Sequence, residues 1–218
     1  MKILFFGDSI TDMCRNRDEN ADEIFTYGNG YPMLVASALY RKNPLKYQVV
    51  NRGIGGDRVA DLNARVRCDV WRQNPDVLTV LVGINNVWDE FNDQDGQEPD
   101  RFRKIYSMMI EDTLKRFPNL KIILVEPFVL KGKNTEAQFE RVQQLCNKYA
   151  EIVQELAEQY HIYFLPLQDK FNRAAQQFGA EKFLFDGMHP MVAGATLIAD
   201  SWLELFEKSI LSGMESFS

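Results

Sequence analysis

The sequence predicts an α/β protein, a flavodoxin-like three-layer α/β/α arrangement around a five-stranded parallel sheet. Three observations carry this expectation. Short, continuous apolar runs recur along the chain, segments of helical periodicity separate them, and small or polar residues follow several runs directly. A short run without alternation reads as a strand buried on both faces, the pattern of a parallel sheet covered by helices.

The elements follow in order. The first run, at 3–6, ends at Gly7, and the second, at 47–50, leads into a glycine-rich loop. After Asp57, a residue suited to N-capping, Val59, Leu62, Val66 and Val70 recur at helical spacing. The third run, at 77–82, is followed by Gly83-Ile84-Asn85-Asn86 and then by an acidic stretch at 89–100, read as a solvated loop. Phe102, Ile105, Met109 and Leu114 mark a helix before the fourth run at 122–125. The longest helix, roughly 135–160, places Val142, Leu145, Tyr149, Ile152 and Leu156 on one face and precedes the fifth run at 162–165. Ala195, Ile198, Trp202 and Leu205 mark the last helix. Right-handed crossovers between such strands give a doubly wound sheet, in which ligands bind beyond the carboxyl ends of the strands. No linker or repeat divides the chain, so residues 1–218 are expected to form one domain.

Composition narrows the function classes. Of 218 residues, 45% are hydrophobic and 26% charged, an ordinary globular balance. Net charge is −6, from 31 acids against 25 bases, without a basic run, so no nucleic-acid partner is expected. No apolar run approaches the roughly 20 residues that span a bilayer, so no membrane partner is expected. Cys14, Cys68 and Cys146 lie far apart and form no CxxC pair, which speaks against zinc and redox motifs and fits reduced thiols in a cytoplasmic protein. Cys14 reads as a small packing residue. A calcium loop around Asp93, Asp95 and Gly96 is excluded, because Phe91 and Phe102 occupy its first and twelfth ligand positions. No metal and no cofactor are expected; a homo-oligomer is left open.

Four segments could carry chemistry. Gly7-Asp8-Ser9-Ile10-Thr11 follows the first strand, where Ser9 is either a nucleophile or a turn cap. Asp186-Gly187-Met188-His189-Pro190 contains one of only two histidines. Asp186 can fold back onto the His189 ring, and Pro190 suits a first helical position, where the helix dipole would favour a neutral imidazole. The other histidine, His161, reads as structural, at the amino end of the fifth strand. The glycines of the loop 51–58 can let a backbone N–H point at a substrate, or serve turn geometry alone; the loop lacks GxGxxG and Walker spacings, which weakens a nucleotide-binding alternative. Asn85 is an amide donor at a strand end, or part of a polar turn.

Taken together and in order, these segments resemble the four sequence blocks of the SGNH (GDSL-like) hydrolases, across Gly7 to Pro190. FGDSITD with Arg15 and Arg17, GYP at 30–32, NRGIGGDRVADL and GINNVW are closest to the intracellular acetylxylan-esterase-like carbohydrate esterases. The resemblance implies the SGNH hydrolase fold and a serine esterase acting on short-chain, above all acetyl, esters of carbohydrates. It implies Ser9 as nucleophile, His189 as base and Asp186 as its partner, with an oxyanion hole of Ser9, Gly56 and Asn85. Its partner would be a small-molecule or oligosaccharide ester. Trp88, with Tyr27, Tyr31 and Phe91, is expected in loops near the site, where aromatic faces stack on sugars. A lysophospholipase or thioesterase, or a catalytically silent sugar-binding module, are the alternatives. One departure stands out: Asn86 occupies a position where the family usually has Asp.

Overall fold

The computed structural model describes residues 1–18, 20–92 and 98–212. Its sheet consists of β1 (Lys2–Gly7), β2 (Gln48–Gly53), β3 (Val77–Leu81), β4 (Lys121–Val125) and β5 (Tyr163–Leu165), all parallel, in the order β2-β1-β3-β4-β5. Chain direction across the sheet reverses at β1, whose Gly7 registers with Gly53 of β2 and Leu81 of β3. A doubly wound sheet opens its crevice at this reversal. The predicted architecture and all five strands are therefore present. β2 runs on to Gly53, three residues beyond the apolar run, because an edge strand needs only alternate residues buried.

The helices are α1 (Ser9–Asp12), α2 (Glu23–Thr26), α3 (Tyr31–Lys42), α4 (Val59–Asp69), α5 (Ile84–Phe91), α6 (Pro99–Arg116), α7 (Phe139–Gln159), α8 (Gln168–Phe178) and α9 (Val192–Leu205). Three of the longer ones were not anticipated. In α3, Tyr31, Val35, Ala36 and Leu39 form a buried helical stripe behind a first-turn Pro32. In α8 only Gln168 and Phe171 are buried, which leaves almost no apolar period to read. α5 takes up Asp89 and Phe91, so the expected acidic loop is shorter than 89–100; Asp93 to Gln97, with the excluded calcium motif, lie outside the described residues. At α4, Arg58 and not Asp57 is the N-cap: Asp61 accepts the Arg58 N–H at 2.9 Å, while Asp57 takes the Arg65 guanidinium at 2.6 Å.

β1 and β3 are buried along nearly their whole length. On one face Phe5 packs edge-on against Tyr31 with ring centres 5.3 Å apart and contacts Trp202, which stacks on Phe206. The buried indole N–H of Trp202 donates to Thr79 Oγ1 at 2.8 Å, so this large side chain leaves no polar atom unsatisfied. On the other face Phe102 packs against Tyr106 and Tyr149. No helix among the described residues is long and apolar enough to cross a membrane.

One close approach links the fold to the site. A Cβ on Gly53 would lie 2.2 Å from Asp12 N and 2.6 Å from the Thr11 carbonyl carbon, so the end of β2 touches the backbone of α1 directly. Gly53→Ala must push the two apart, an overpacking cost of about 1–3 kcal/mol. Urea denaturation should show a lower midpoint.

Candidate active site

Ser9 opens α1, immediately beyond β1. Asp8 caps the helix, its Oδ1 accepting the Ile10 N–H at 3.0 Å. Gly7 leaves no room for a side chain: a Cβ there would lie 2.4 Å from both Leu81 O and Thr11 Oγ1. After one turn the chain reverses through Met13 and Cys14, both with positive φ (38° and 62°). The reversal lets Arg15 Nε donate to Gly53 O at 2.8 Å. Ser9 is thus held at the strand end by a short, tightly packed turn.

The second segment meets it from 180 residues away. Ser9 Oγ and His189 Nε2 are 2.8 Å apart, and His189 Nδ1 and Asp186 Oδ2 are 2.7 Å apart. The other carboxylate oxygen, Oδ1, accepts the backbone N–H groups of Met188 at 2.9 Å and His189 at 2.8 Å. These bonds fix the Asp186 carboxylate against the ring. The turn is itself clamped: Asn134 N donates to Asp186 O, Leu130 N donates to Gly187 O, and Gly187 lies against Thr135. The expected helix start at Pro190 is not found. α9 begins at Val192, and Pro190 instead bridges Leu184 while Phe185 N donates to His189 O, closing a narrow loop. His161 sits just before β5, at its amino end and away from this site, as anticipated.

The glycine loop approaches Ser9 through Asp12. Asp12 Oδ2 accepts the Gly55 N–H at 3.0 Å and pairs with Arg17. Gly56 has φ +88°, and a Cβ there would meet nothing within 4 Å, so it faces open space. Asn85 Nδ2 donates to Asp57 O at 2.9 Å, which fixes the amide and leaves its second N–H for another acceptor. Asn86, fully buried, accepts the Val59 N–H through Oδ1 at 3.2 Å. Arg65 braces the loop from below, bonding Asp57, Asp69 and the carbonyls of Arg52 and Gly7.

Electrostatics follow from these contacts. Burial pushes the Asp186 carboxyl upward, but its hydrogen bonds from the His189 ring and from the His189 and Met188 backbones win, and it is lowered to about 2. The same ring hydrogen bond raises His189 above the ordinary imidazole value, against the opposing effect of burial. The reading from the helix dipole, a ring held neutral, therefore gives way to the nearer carboxylate. Asp8 is fully buried, and desolvation raises it to about 7 despite the Ile10 bond and the nearby imidazole.

A cleft of about 540 Å³ opens above Ser9 and His189, lined also by Asp12, Met13, Cys14, Arg15, Arg17 and Phe185. Cys14 is exposed in this wall and is not the packing residue expected. Phe185 was missed by sequence reasoning: it is 53% exposed and stacks on the His189 ring, and its only signal was its place directly before Asp186. Of the aromatics expected near the site, Tyr27 and Tyr31 are buried and unable to meet a sugar. Trp88 lies on α5, one turn beyond Asn85, stacked on Phe91, and is not part of the cleft wall. Among the described residues no group of three or more His, Cys, Asp or Glu converges as a metal site.

Comparison with known proteins places these features in a wider set. The sequence model of the GDSL-like Lipase/Acylhydrolase family matches residues 5–197. An acetylxylan esterase of Geobacillus stearothermophilus is 33% identical over 205 residues, 93% of this chain and 92% of that protein. A solved structure from Parabacteroides merdae, described as that of a GDSL-like lipase, superposes with a TM-score of 0.86 at 31% identity, covering 93% of this chain and 94% of the other. A catalytic mutant of the acetylxylan esterase Axe2 from Geobacillus stearothermophilus superposes at 0.82, with 31% identity over 93% of this chain and 92% of the other.

The electrostatics make a titration prediction. In an NMR titration the His189 ring should lose its proton above the ordinary imidazole range, and Asp186→Asn should bring that midpoint down. The stability linkage has two signs. The His189 contribution is full at low pH and is lost as pH rises through its folded midpoint. The Asp186 contribution is present above the usual carboxylate range and is lost as pH falls toward about 2.

Proposed function

This chain belongs to the GDSL-like lipase/acylhydrolase family and is a carboxylic ester hydrolase, and from that premise we propose that it removes short acyl groups, above all acetyl, from carbohydrates through an acyl-enzyme on Ser9. The observation that carries the reading is the hydrogen-bonded chain Ser9–His189–Asp186 at the floor of an open cleft. A serine hydroxyl is a weak nucleophile until a base accepts its proton. His189 Nε2 stands at hydrogen-bond distance to do so, and the Asp186 bond to Nδ1 sets the tautomer that leaves Nε2 free.

The reaction then follows in two halves. Ser9 Oγ attacks the ester carbonyl, its proton passes to His189, and the imidazolium is stabilised by Asp186. The negative charge on the carbonyl oxygen is met by the N–H groups of Ser9 and Gly56 and by the free N–H of Asn85. His189 returns its proton to the departing sugar alcohol. Water repeats the sequence on the acyl-enzyme and releases the acid. The acetyl and sugar assignments draw support from the acetylxylan esterase relative. Trp88, outside the cleft wall, is assigned to the more distant parts of a longer substrate.

Ser9→Ala should abolish hydrolysis of p-nitrophenyl acetate and labelling by a fluorophosphonate; undiminished turnover would refute the role of Ser9. Asn85→Ala should lower kcat by about 10²–10³-fold, the usual loss on removing one oxyanion donor, with a smaller change in KM. Release of acetate from acetylated xylo-oligosaccharides, compared with fatty acid release from lysophospholipids, tests the substrate class.

A further inference from the structure

Beside the cleft over Ser9 lies a second one of about 420 Å³. Arg15 and Arg17 line both clefts, and Arg52 joins them in the second. Three guanidinium groups thus converge next to the reaction centre in a protein of net charge −6. Their internal partners do not account for them. Arg17 pairs with Asp12, but that carboxylate also holds the Gly55 N–H. Arg15 donates through Nε to Gly53 O, which fixes the plane of its guanidinium without neutralising it. Arg52 Nε is buried with no hydrogen-bond partner among the described residues. Burial, with the neighbouring charges of Arg52 and Arg17, lowers Arg15 to about 10 against the opposing pull of Asp12 and Asp69. Two acids line the same cleft, and their hydrogen bonds go to neutral groups rather than to the arginines. Asp18 accepts from Asn20, and Glu23 accepts the hydroxyls of Tyr27 and Tyr40.

Gathering cations in a half-buried cleft is unfavourable unless an anion joins them. A planar guanidinium fork matches a carboxylate better than any neutral group. We propose that this second cleft is an anion subsite, which holds a carboxylate carried by the alcohol side of the ester, so that the preferred substrates are acyl esters of acidic saccharides. The inference rests on the sugar-ester reading above and names the kind of sugar. The shared walls set the geometry: a saccharide whose acylated hydroxyl lies over Ser9 reaches the arginines with an adjoining uronic-acid residue.

The test is competition against p-nitrophenyl acetate hydrolysis by the intact protein. A deacetylated xylo-oligosaccharide bearing one glucuronic-acid residue should inhibit at least about tenfold more strongly than the neutral oligosaccharide of equal length, the value of one charge-assisted contact. Arg52→Gln should bring the two inhibition constants together, and Arg52→Lys, which keeps the charge without the fork, should fall between. If Arg52→Gln does not fold, as judged by its thermal melt, the half-exposed Arg17→Gln carries the same comparison. Equal inhibition by the two oligosaccharides would overturn the subsite. So would an unchanged preference in the variant, or equal inhibition by inorganic phosphate at matched ionic strength. The sugar-ester reading fails separately: no acetate would be released from acetylated xylo-oligosaccharides while p-nitrophenyl acetate is still cleaved.

Discussion

The site depends on the backbone of α1 lying directly on the end of β2. Glycine at position 53 permits the contact, and Asn51 holds it: its amide donates to the carbonyls of Thr11 at 2.7 Å and Tyr27 at 2.8 Å, while its own carbonyl oxygen accepts the Gly53 N–H at 2.8 Å. Asn51 is buried, so each of these bonds replaces a desolvation cost of about 1–3 kcal/mol that an unmade bond would leave. From this one contact the rest of the geometry follows. Ser9 is fixed at the strand end, Asp12 is turned toward Gly55, and Arg15 reaches Gly53 O. Ser9 and the glycine loop are therefore one packed unit, built from the ends of two neighbouring strands.

The histidine segment must be positioned independently, because it comes from the far end of the chain. Its support is local and dense. Asp186 uses both carboxylate oxygens on its own turn, and the loop after β4 bonds the same turn from outside. This arrangement places charge with economy. Asp186 is stabilised as an anion, whereas Asp8, buried beside the nucleophile with one oxygen unbonded among the described residues, is pushed toward the neutral form. Two carboxyl groups near one imidazole are driven apart in acidity by their surroundings, one by hydrogen bonds and the other by desolvation. Only the first is a full negative charge throughout the neutral range, and it is the one that touches the ring.

Much of this was legible in the sequence, for identifiable reasons. Strands buried on both faces have no polar alternation to obscure them, so all five runs were found, and glycine, serine and asparagine directly after them pointed to the carboxyl edge. Asp186 and His189 were readable as a pair because only two residues separate them. What escaped had weak or misleading local signals. α8 buries too little to show a period, and α5 hides in an acidic stretch. The N-terminus of α9 was placed too early because Pro190, which suits a helix start, here closes a loop by bridging Leu184. Tyr27 and Tyr31, expected in loops near the site, are buried by long-range packing against Tyr40 and Phe5. Phe185 and the convergence of Arg15, Arg17 and Arg52 had little local signal, since the clefts that give them meaning join segments distant in sequence.

The replacement of the usual Asp by Asn86 can be weighed on the same grounds. One task at this position is to accept the Val59 N–H and so to tie the start of α4 to the turn that carries Asn85. An amide oxygen accepts this N–H as a carboxylate oxygen would. The difference lies in the burial, which is complete. A carboxylate there would have to be paired or lose its charge, whereas an amide is neutral at every pH. Asn86 therefore keeps a hydrogen bond that ties the turn carrying Asn85 to the start of α4, with no buried carboxylate to be paired or neutralised.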